Sequence, residues 1–324
     1  MVSRDQGVSQ KLVIQVLAGG ISHERDISLK SARRVADALT EQGATVIMRE
    51  PDADLLGHIQ TDRPDVIWPV LHGASGEDGA LRDVLALCGV PFVGATADAA
   101  RLAWDKPTAK TLVLLAGIQT PKSITLPKTA FKELNAESVM GLILESMTLP
   151  LVVKPARSGS AQGATVVREK RDLAQAMIDA YVYCDVAIIE KFIDGVELAV
   201  SVIDLGEGAI ALPAVEIEAI NGDFGFEARY HAGETNYFVP ARLDAAVADA
   251  AAAIAVQVHQ LLGLRHMSRI DMIVDADQNI WFLEANVQPG LTDTSLLPMG
   301  ILAAGHSLGE TYHSIAVAAH KNRG

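Results

Sequence analysis

Near the C-terminus the chain alternates polar and apolar positions, breaks, and alternates again. Ser268-Arg-Ile-Asp-Met-Ile-Val-Asp275 and Ile280-Trp-Phe-Leu-Glu-Ala-Asn286 are rich in β-branched and aromatic residues, and Ala276-Asp-Gln-Asn279 between them is turn chemistry. This pattern predicts a β-hairpin with its tip at Asp277-Gln278. In that register Asp271 faces Glu284 and Arg269 faces Asn286, and period-two alternation puts all four on one face. Phe282 and Ile280 fall on the same face, which argues that it is covered and not simply solvated. Two opposed carboxylates repel. A hard cation between Asp271 and Glu284 turns that repulsion into a site, because Mg²⁺ favours carboxylate and carbonyl oxygens and keeps substrate phosphates as further ligands.

The rest of the pattern predicts an α/β (α+β) chain in three units, 1–97, 98–191 and 192–324. Leu12 to Ala18 reads as a buried strand, followed by Gly19-Gly20 and a helix ending near Gly43. Ala32, Val35, Ala36 and Leu39 give that helix an apolar stripe. Thr45 to Arg49 and Val66 to Leu71 predict two more strands, the second leading into the loop His72 to Gly79. Leu81, Val84, Leu85 and Cys88 then form a helix face stopped by Gly89. Strands alternating with helices imply a small parallel sheet, whose functional loops sit at the carboxyl ends of its strands. A helix is expected around Trp104 to Lys110. Strands at Leu151 to Pro155 and Ala164 to Val167 flank the loop Ala156 to Gly163. A helix near Arg171 to Tyr181 leads to a strand from Val186, and another strand lies near Glu197 to Asp204. Val247, Ala251, Ile254, Val258 and Leu261 make a core stripe on an Ala-rich helix near Leu243 to Leu262, ended by Gly263.

Bulk properties narrow the function. The net charge of −13, from 27 basic and 40 acidic residues, argues against nucleic acid or an anionic membrane as partner. Cys88 and Cys184 are the only cysteines and lie among apolar residues, so buried free thiols and a reducing, cytoplasmic setting are expected. The first residues show no apolar signal core. Ala245 to Leu264 contains Asp249, Gln257, His259 and Gln260, so no membrane span is expected there. His231, His259 and His266 have no ligand spacing and are expected to be structural or surface residues.

Two further segments carry candidate chemistry. Lys154 ends an apolar strand before Arg157-Ser-Gly-Ser-Ala-Gln-Gly163, where small residues let backbone N–H groups approach a phosphate. The same segment suits a plain flexible hairpin. Glu190 and Glu197, within Ile188-Ile-Glu-Lys-Phe-Ile-Asp-Gly-Val-Glu197, suit adenine and ribose recognition or, equally, a strand leaving the core.

In order along nearly the whole chain, these segments resemble the D-alanine–D-alanine ligase family of the ATP-grasp superfamily. The segments that carry the resemblance are Gly19-Gly-Ile-Ser-His-Glu-Arg-Asp-Ile-Ser28, His72-Gly-Ala-Ser-Gly-Glu-Asp-Gly79, Trp104-Asp-Lys106, Lys154-Pro-Ala-Arg-Ser-Gly-Ser160, Glu190-Lys191 with Glu197, Glu227-Ala-Arg-Tyr230, and Arg269-Ile-Asp271 with Glu284-Ala-Asn286 and Pro289-Gly-Leu-Thr-Asp-Thr-Ser295. The resemblance implies ATP bound by Lys106, Lys154, Glu190, Lys191, Glu197 and Arg229. It implies two Mg²⁺ ions, or Mn²⁺, on Asp271, Glu284 and Asn286. D-alanine is the implied substrate, joined through an acylphosphate for peptidoglycan synthesis. Glu24 would pair with the first ammonium, and Ser160 and Tyr230 would link to it. Arg269 and the Gly290 N–H would stabilise the oxyanion, Ser295 and Leu296 would hold the second carboxylate, and His72 would line the substrate site. A homodimer is also implied. Ligation of another amino-acid pair and a silent ATP-binding regulator are the competing readings. Three departures stand out: Val287-Gln288 after Asn286, Arg229 for a common Lys, and Ala161-Gln162 in the glycine-rich loop. Tyr230 implies an amine acceptor, so Tyr230→Phe is expected to raise the ester-to-amide ratio with D-lactate at low pH. An unchanged ratio by mass spectrometry counts against that role.

Overall fold

The computed structural model describes residues 11–22, 24–159, 161–220 and 235–321. Expectations placed on Ser160, Arg229, Tyr230 and His231 lie outside the described residues. The first layer runs β1 (Val13–Leu17), α1 (Arg25–Glu41), β2 (Thr45–Arg49), α2 (Leu55–Asp62), β3 (Val66–Pro69), α3 (Ala74–Glu77) and α4 (Ala80–Leu87). Its three strands are parallel in the order β2-β1-β3. All of β3 is buried, which accounts for its unbroken apolar run. The α1 stripe of Ala32, Val35, Ala36 and Leu39 is buried as its spacing requires. The α4 face differs from the expectation: Val84 is exposed, while Arg82 and Leu85 turn inward.

The helix expected around Trp104 is two helices, α5 (Ala97–Trp104) and α6 (Lys106–Leu115). Asp105 breaks them, its carboxylate accepting from the Thr108 N–H at 3.0 Å to cap α6. Pro107 in the first turn lacks the N–H that the helix start leaves unpaired. The break sets Lys106 at the mouth of a helix, facing inward.

A second, antiparallel layer follows: β4 (Ser123–Pro127), α7 (Lys128–Glu133), α8 (Ala136–Ser146), β5 (Leu151–Pro155), β6 (Thr165–Val167), α9 (Leu173–Tyr183) and β7 (Val186–Lys191), with sheet order β4-β7-β5-β6. The last layer holds β8 (Gly195–Asp204), β9 (Ala209–Ala211), β10 (Val215–Ala219), β11 (Thr235–Phe238), α10 (Ala245–Leu261), β12 (His266–Asp275), β13 (Ile280–Asn286), α11 (Leu296–Ala303) and α12 (Leu308–Lys321). Its main path is β11-β10-β8-β12-β13. On α10, Ala255 is fully buried, Ile254 is half-buried and Leu261 is exposed, so the stripe is rotated slightly from the expected one. α12 returns to the first layer, where Tyr312 meets Trp68 edge-on at 5.7 Å.

The β12–β13 hairpin pairs Arg269 with Asn286 and Asp271 with Glu284, as expected, but by a different route. Met272 pairs with Phe282, so Leu283 is an extra residue, a β-bulge. The turn centres on Asp277, slightly earlier than expected, and the bulge restores the pairing at the carboxylates. It also reverses the alternation. Phe282 and Ile280 therefore pack in the core with Met272, not on the carboxylate face.

Both cysteines are unpaired but only half-buried, which corrects the expected burial. His259 and His266 are buried structural residues. His259 Nδ1 lies 2.7 Å from Ser268 Oγ, and His266 Nδ1 accepts from the Gly94 N–H at 2.9 Å. Among the described residues no helix is long and apolar enough to cross a membrane.

Candidate active site

Two clefts meet at Asp271. The larger, about 670 Å³, lies between the second and third sheets and is lined by Lys106, Lys154, Phe192, Glu197, Leu283 and Glu284 among others. The smaller, about 360 Å³, is lined by Glu24, His72, Glu77, Arg269, Asn286, Gln288, Gly290, Ser295 and Leu296. Asp271 borders both.

Each carboxylate of the hairpin pair meets its own cation. Arg269 forks Asp271 from the same strand, Nε to Oδ1 at 2.7 Å and Nη2 to Oδ2 at 2.8 Å. Asn286 Nδ2 adds a bond to Oδ2 at 3.1 Å, across the ladder. Lys106, from the start of α6, places Nζ 3.1 Å from Glu284 Oε2 and donates to Ser158 O at 2.7 Å. No group of three acidic, His or Cys side chains fit to hold a metal occurs among the described residues. Two carboxylates and the Asn286 amide oxygen are nevertheless a hard-oxygen set. They suit Mg²⁺ that arrives with phosphates as its remaining ligands. Val287 packs in the core at 2% exposure, so its missing hydroxyl removes nothing from the cleft face.

Lys154 sits in a buried triad that the sequence does not announce. Its Nζ lies 2.7 Å from Glu190 Oε2, and Lys110 Nζ lies 2.7 Å from Glu190 Oε1. Burial pushes the Glu190 carboxyl up, but the two ammonium groups outweigh burial and hold it below its ordinary value. Glu190 itself does not line the larger cleft. Lys191 turns away and donates to Thr148 O at 3.0 Å. Of the three residues expected at the nucleoside on β7 and β8, only Glu197 lines that cleft.

Glu24 occupies the N-cap of α1, yet its side chain caps nothing. It is 6% exposed, and a Cβ at Gly73 or Gly159 would stand 3.0 or 3.3 Å from its Oε2. Glycines thus let two loops close on this carboxylate. His72 is buried beside it, 3.5 Å from Ser31 Oγ, and desolvation pulls its pKa down against the pull of Glu24. Gly290 and Ser295 are neighbours: a Cβ at Gly290 would lie 2.6 Å from Ser295 Oγ. Ser295 Oγ accepts from the Thr292 N–H at 3.0 Å, and Leu296 opens α11.

Glu77 escaped the sequence reading, although an acid flanked by glycines in the His72 loop was the available signal. Its Oε1 accepts from the Gly73 N–H at 2.8 Å. Burial first, then Glu24, pushes its pKa up to about 8. A carboxyl raised on folding stabilises the folded state below its unfolded pKa, near 4.5, and that contribution is lost as pH rises toward 8. Glu77→Gln is therefore expected to match the parent near pH 5 and to be more thermostable by a few °C at pH 8.5. Parallel thermal melts across that range check it, and a constant difference at all pH values would refute it.

Comparisons with known proteins point to one family. A family model described as D-ala D-ala ligase C-terminus matches residues 112–315. A D-alanine–D-alanine ligase of Bordetella petrii is 38% identical over 302 residues, 93% of this chain and 90% of that protein. One from Pelotomaculum thermopropionicum is 34% identical, covering 97% of this chain and 98% of its own length. Among solved structures, the VanG D-Ala:D-Ser ligase from Enterococcus faecalis superposes with a TM-score of 0.81 at 29% identity, covering 96% of this chain and all of that one. The D-alanine–D-alanine ligase from Bacillus anthracis gives 0.80 at 26% identity, over 96% of this chain and 98% of its own. With a family model matching residues 112–315 and relatives at 34% and 38% identity matched over nearly their full length, the chain belongs to the D-alanine–D-alanine ligase family.

Proposed function

We propose that this chain joins two D-alanine molecules into D-alanyl-D-alanine, with ATP converted to ADP and phosphate, to supply a peptidoglycan precursor. One observation carries the reading: a nucleotide-sized cleft and an amino-acid-sized cleft share Asp271, and Arg269, which forks Asp271, lines the smaller of the two. ATP occupies the larger cleft. Lys106 and Lys154 hold its phosphates, Glu197 faces the nucleoside, and Glu190 keeps Lys154 in place. Asp271, Glu284 and Asn286 would hold Mg²⁺, two ions in this reading, which neutralises phosphate charge during transfer. Arg229 serves as a further anion-binding group.

The first D-alanine sets its ammonium on Glu24, beside His72. Its carboxylate oxygen bonds to the γ-phosphorus, the bond to the β-phosphate oxygen breaks, and ADP leaves. The amine of the second D-alanine then attacks the acyl carbon. The carbonyl electrons move onto oxygen, where Arg269 and the Gly290 N–H receive them. Collapse expels phosphate, and the amine loses a proton to give the amide. Ser295 and the Leu296 N–H fix the second carboxylate. Ser160 and Tyr230 close the loops over Glu24 and keep water from the acylphosphate. The division into 1–97, 98–191 and 192–324, a cytoplasmic setting and a homodimer belong to the same reading.

Phosphate release from ATP-Mg²⁺ tests it, with D-alanine set against D-serine, D-lactate and a panel of L-amino acids, and products identified by mass spectrometry. Turnover with D-alanine alone, yielding the dipeptide, supports the proposal. Turnover only with another pair moves the function to a specialised ligase. ATP binding without release on any substrate favours a regulatory role.

A further inference from the structure

Arg82 is fully buried, and its three hydrogen bonds all run to neutral oxygens. Nε donates to Gly76 O at 3.2 Å, Nη1 to Ala95 O at 3.0 Å and Nη2 to Gln288 Oε1 at 3.3 Å. A guanidinium only donates. The carboxamide oxygen of Gln288 must therefore face Arg82, which fixes the orientation of the amide. The other end of the amide, Nε2, then points away. That NH₂ is buried and has no partner among the described residues. Gln288 is 3% exposed and lines the smaller cleft with Glu24, His72 and Arg269. A buried donor left unpaired is costly, so the site is built for an acceptor oxygen that the described residues do not supply.

The surroundings say which acceptor. The His72 ring faces the Gln288 backbone carbonyl, and Arg82 reaches Gln288 from the first layer. Gln288 thus belongs to the wall that carries His72 and Glu24. Ser295 is tied instead to Thr292. We propose that Gln288 Nε2 donates a hydrogen bond to a carboxylate oxygen of the first amino acid, orienting it for phosphoryl transfer while Glu24 holds the ammonium. This rests on the ligase reading of the smaller cleft. A neutral amide suits the task. It orients a nucleophilic carboxylate without the full charge stabilisation of a guanidinium, which would blunt its attack.

Gln288→Glu separates this role from support of Arg82. The carboxylate still accepts from Arg82 but offers no donor. The expected result is a rise of about 10-fold to 100-fold in the KM of the first D-alanine. The KM for ATP and for the second D-alanine should stay within about twofold, and the melting temperature should not fall. Gln288→Met, which keeps the shape and loses both polar ends, should raise the same KM and provides the test if the Glu variant does not fold. D-alanine-dependent thermal shift gives a readout apart from turnover, and the shift should shrink in both variants. Unchanged first-site KM in both variants overturns the proposal. So does a loss spread equally over ATP and both D-alanines, which marks a structural prop only. Failure of the parent protein to make any dipeptide refutes the ligase reading itself and is distinct from either result.

Discussion

Glu190→Gln is expected to destabilise the protein by about 3–5 kcal/mol, the usual cost of removing one partner from a buried ionic group. Lys110 and Lys154 each place an ammonium 2.7 Å from this carboxylate. The side chains of Lys110, Lys154 and Glu190 are 4%, 13% and 3% exposed, so water cannot replace the lost charge. Lys110 feels burial most, which already pulls its pKa down, and Glu190 is what supports its charged form. Without Glu190 two like charges would face each other in the core of the second layer. Chemical denaturation of the parent and variant measures the difference. A loss under about 1 kcal/mol would place the triad with surface ion pairs, which contribute little, and would refute the account. The carboxyl of Glu190 is held below its ordinary pKa, so its stabilisation is present above that value and fades as pH falls through the lowered folded one. The variant should therefore differ least from the parent in acid.

Asp271→Asn is expected to lower kcat by about 10³-fold or more while leaving the fold intact. Removing a single oxyanion donor costs about 10²–10³-fold in well-studied enzymes. Here one substitution removes more. Asp271 accepts both arms of the Arg269 fork and a bond from Asn286, and among the described residues it is the only carboxylate bordering both clefts. An amide keeps the shape but offers Arg269 only one oxygen and offers a cation no charge. Phosphate release under saturating D-alanine checks the rate. Titration of Mn²⁺ in the presence of ATP should show weaker binding. A kcat within about tenfold of the parent, with normal Mn²⁺ affinity, would remove Asp271 from the centre of the site.

The sequence alone determined what depends on local periodicity and side-chain type. Alternation at period two put Arg269 with Asp271, and Glu284 with Asn286, on one face of their own strands, because successive strand side chains must point opposite ways; the Leu283 bulge then set the two pairs opposite each other. The helical spacing of Ala32, Val35, Ala36 and Leu39 fixed the buried face of α1 in the same manner. Tertiary structure decided what depends on partners far along the chain. The Leu283 bulge moved Phe282 into the core, since the pattern of a short strand does not reveal one extra residue. Lys110, Lys154 and Glu190 come from α6, β5 and β7, and only packing reveals that one carboxylate balances two lysines. Glu77 is one acid of a glycine-rich loop in the sequence, and only burial beside Glu24 raises its pKa. Arg82 and Gln288 meet across 206 positions, and the orphaned amide end exists only because that contact holds the other end. Periodicity is a property of neighbours in sequence, whereas desolvation and pairing are properties of neighbours in space.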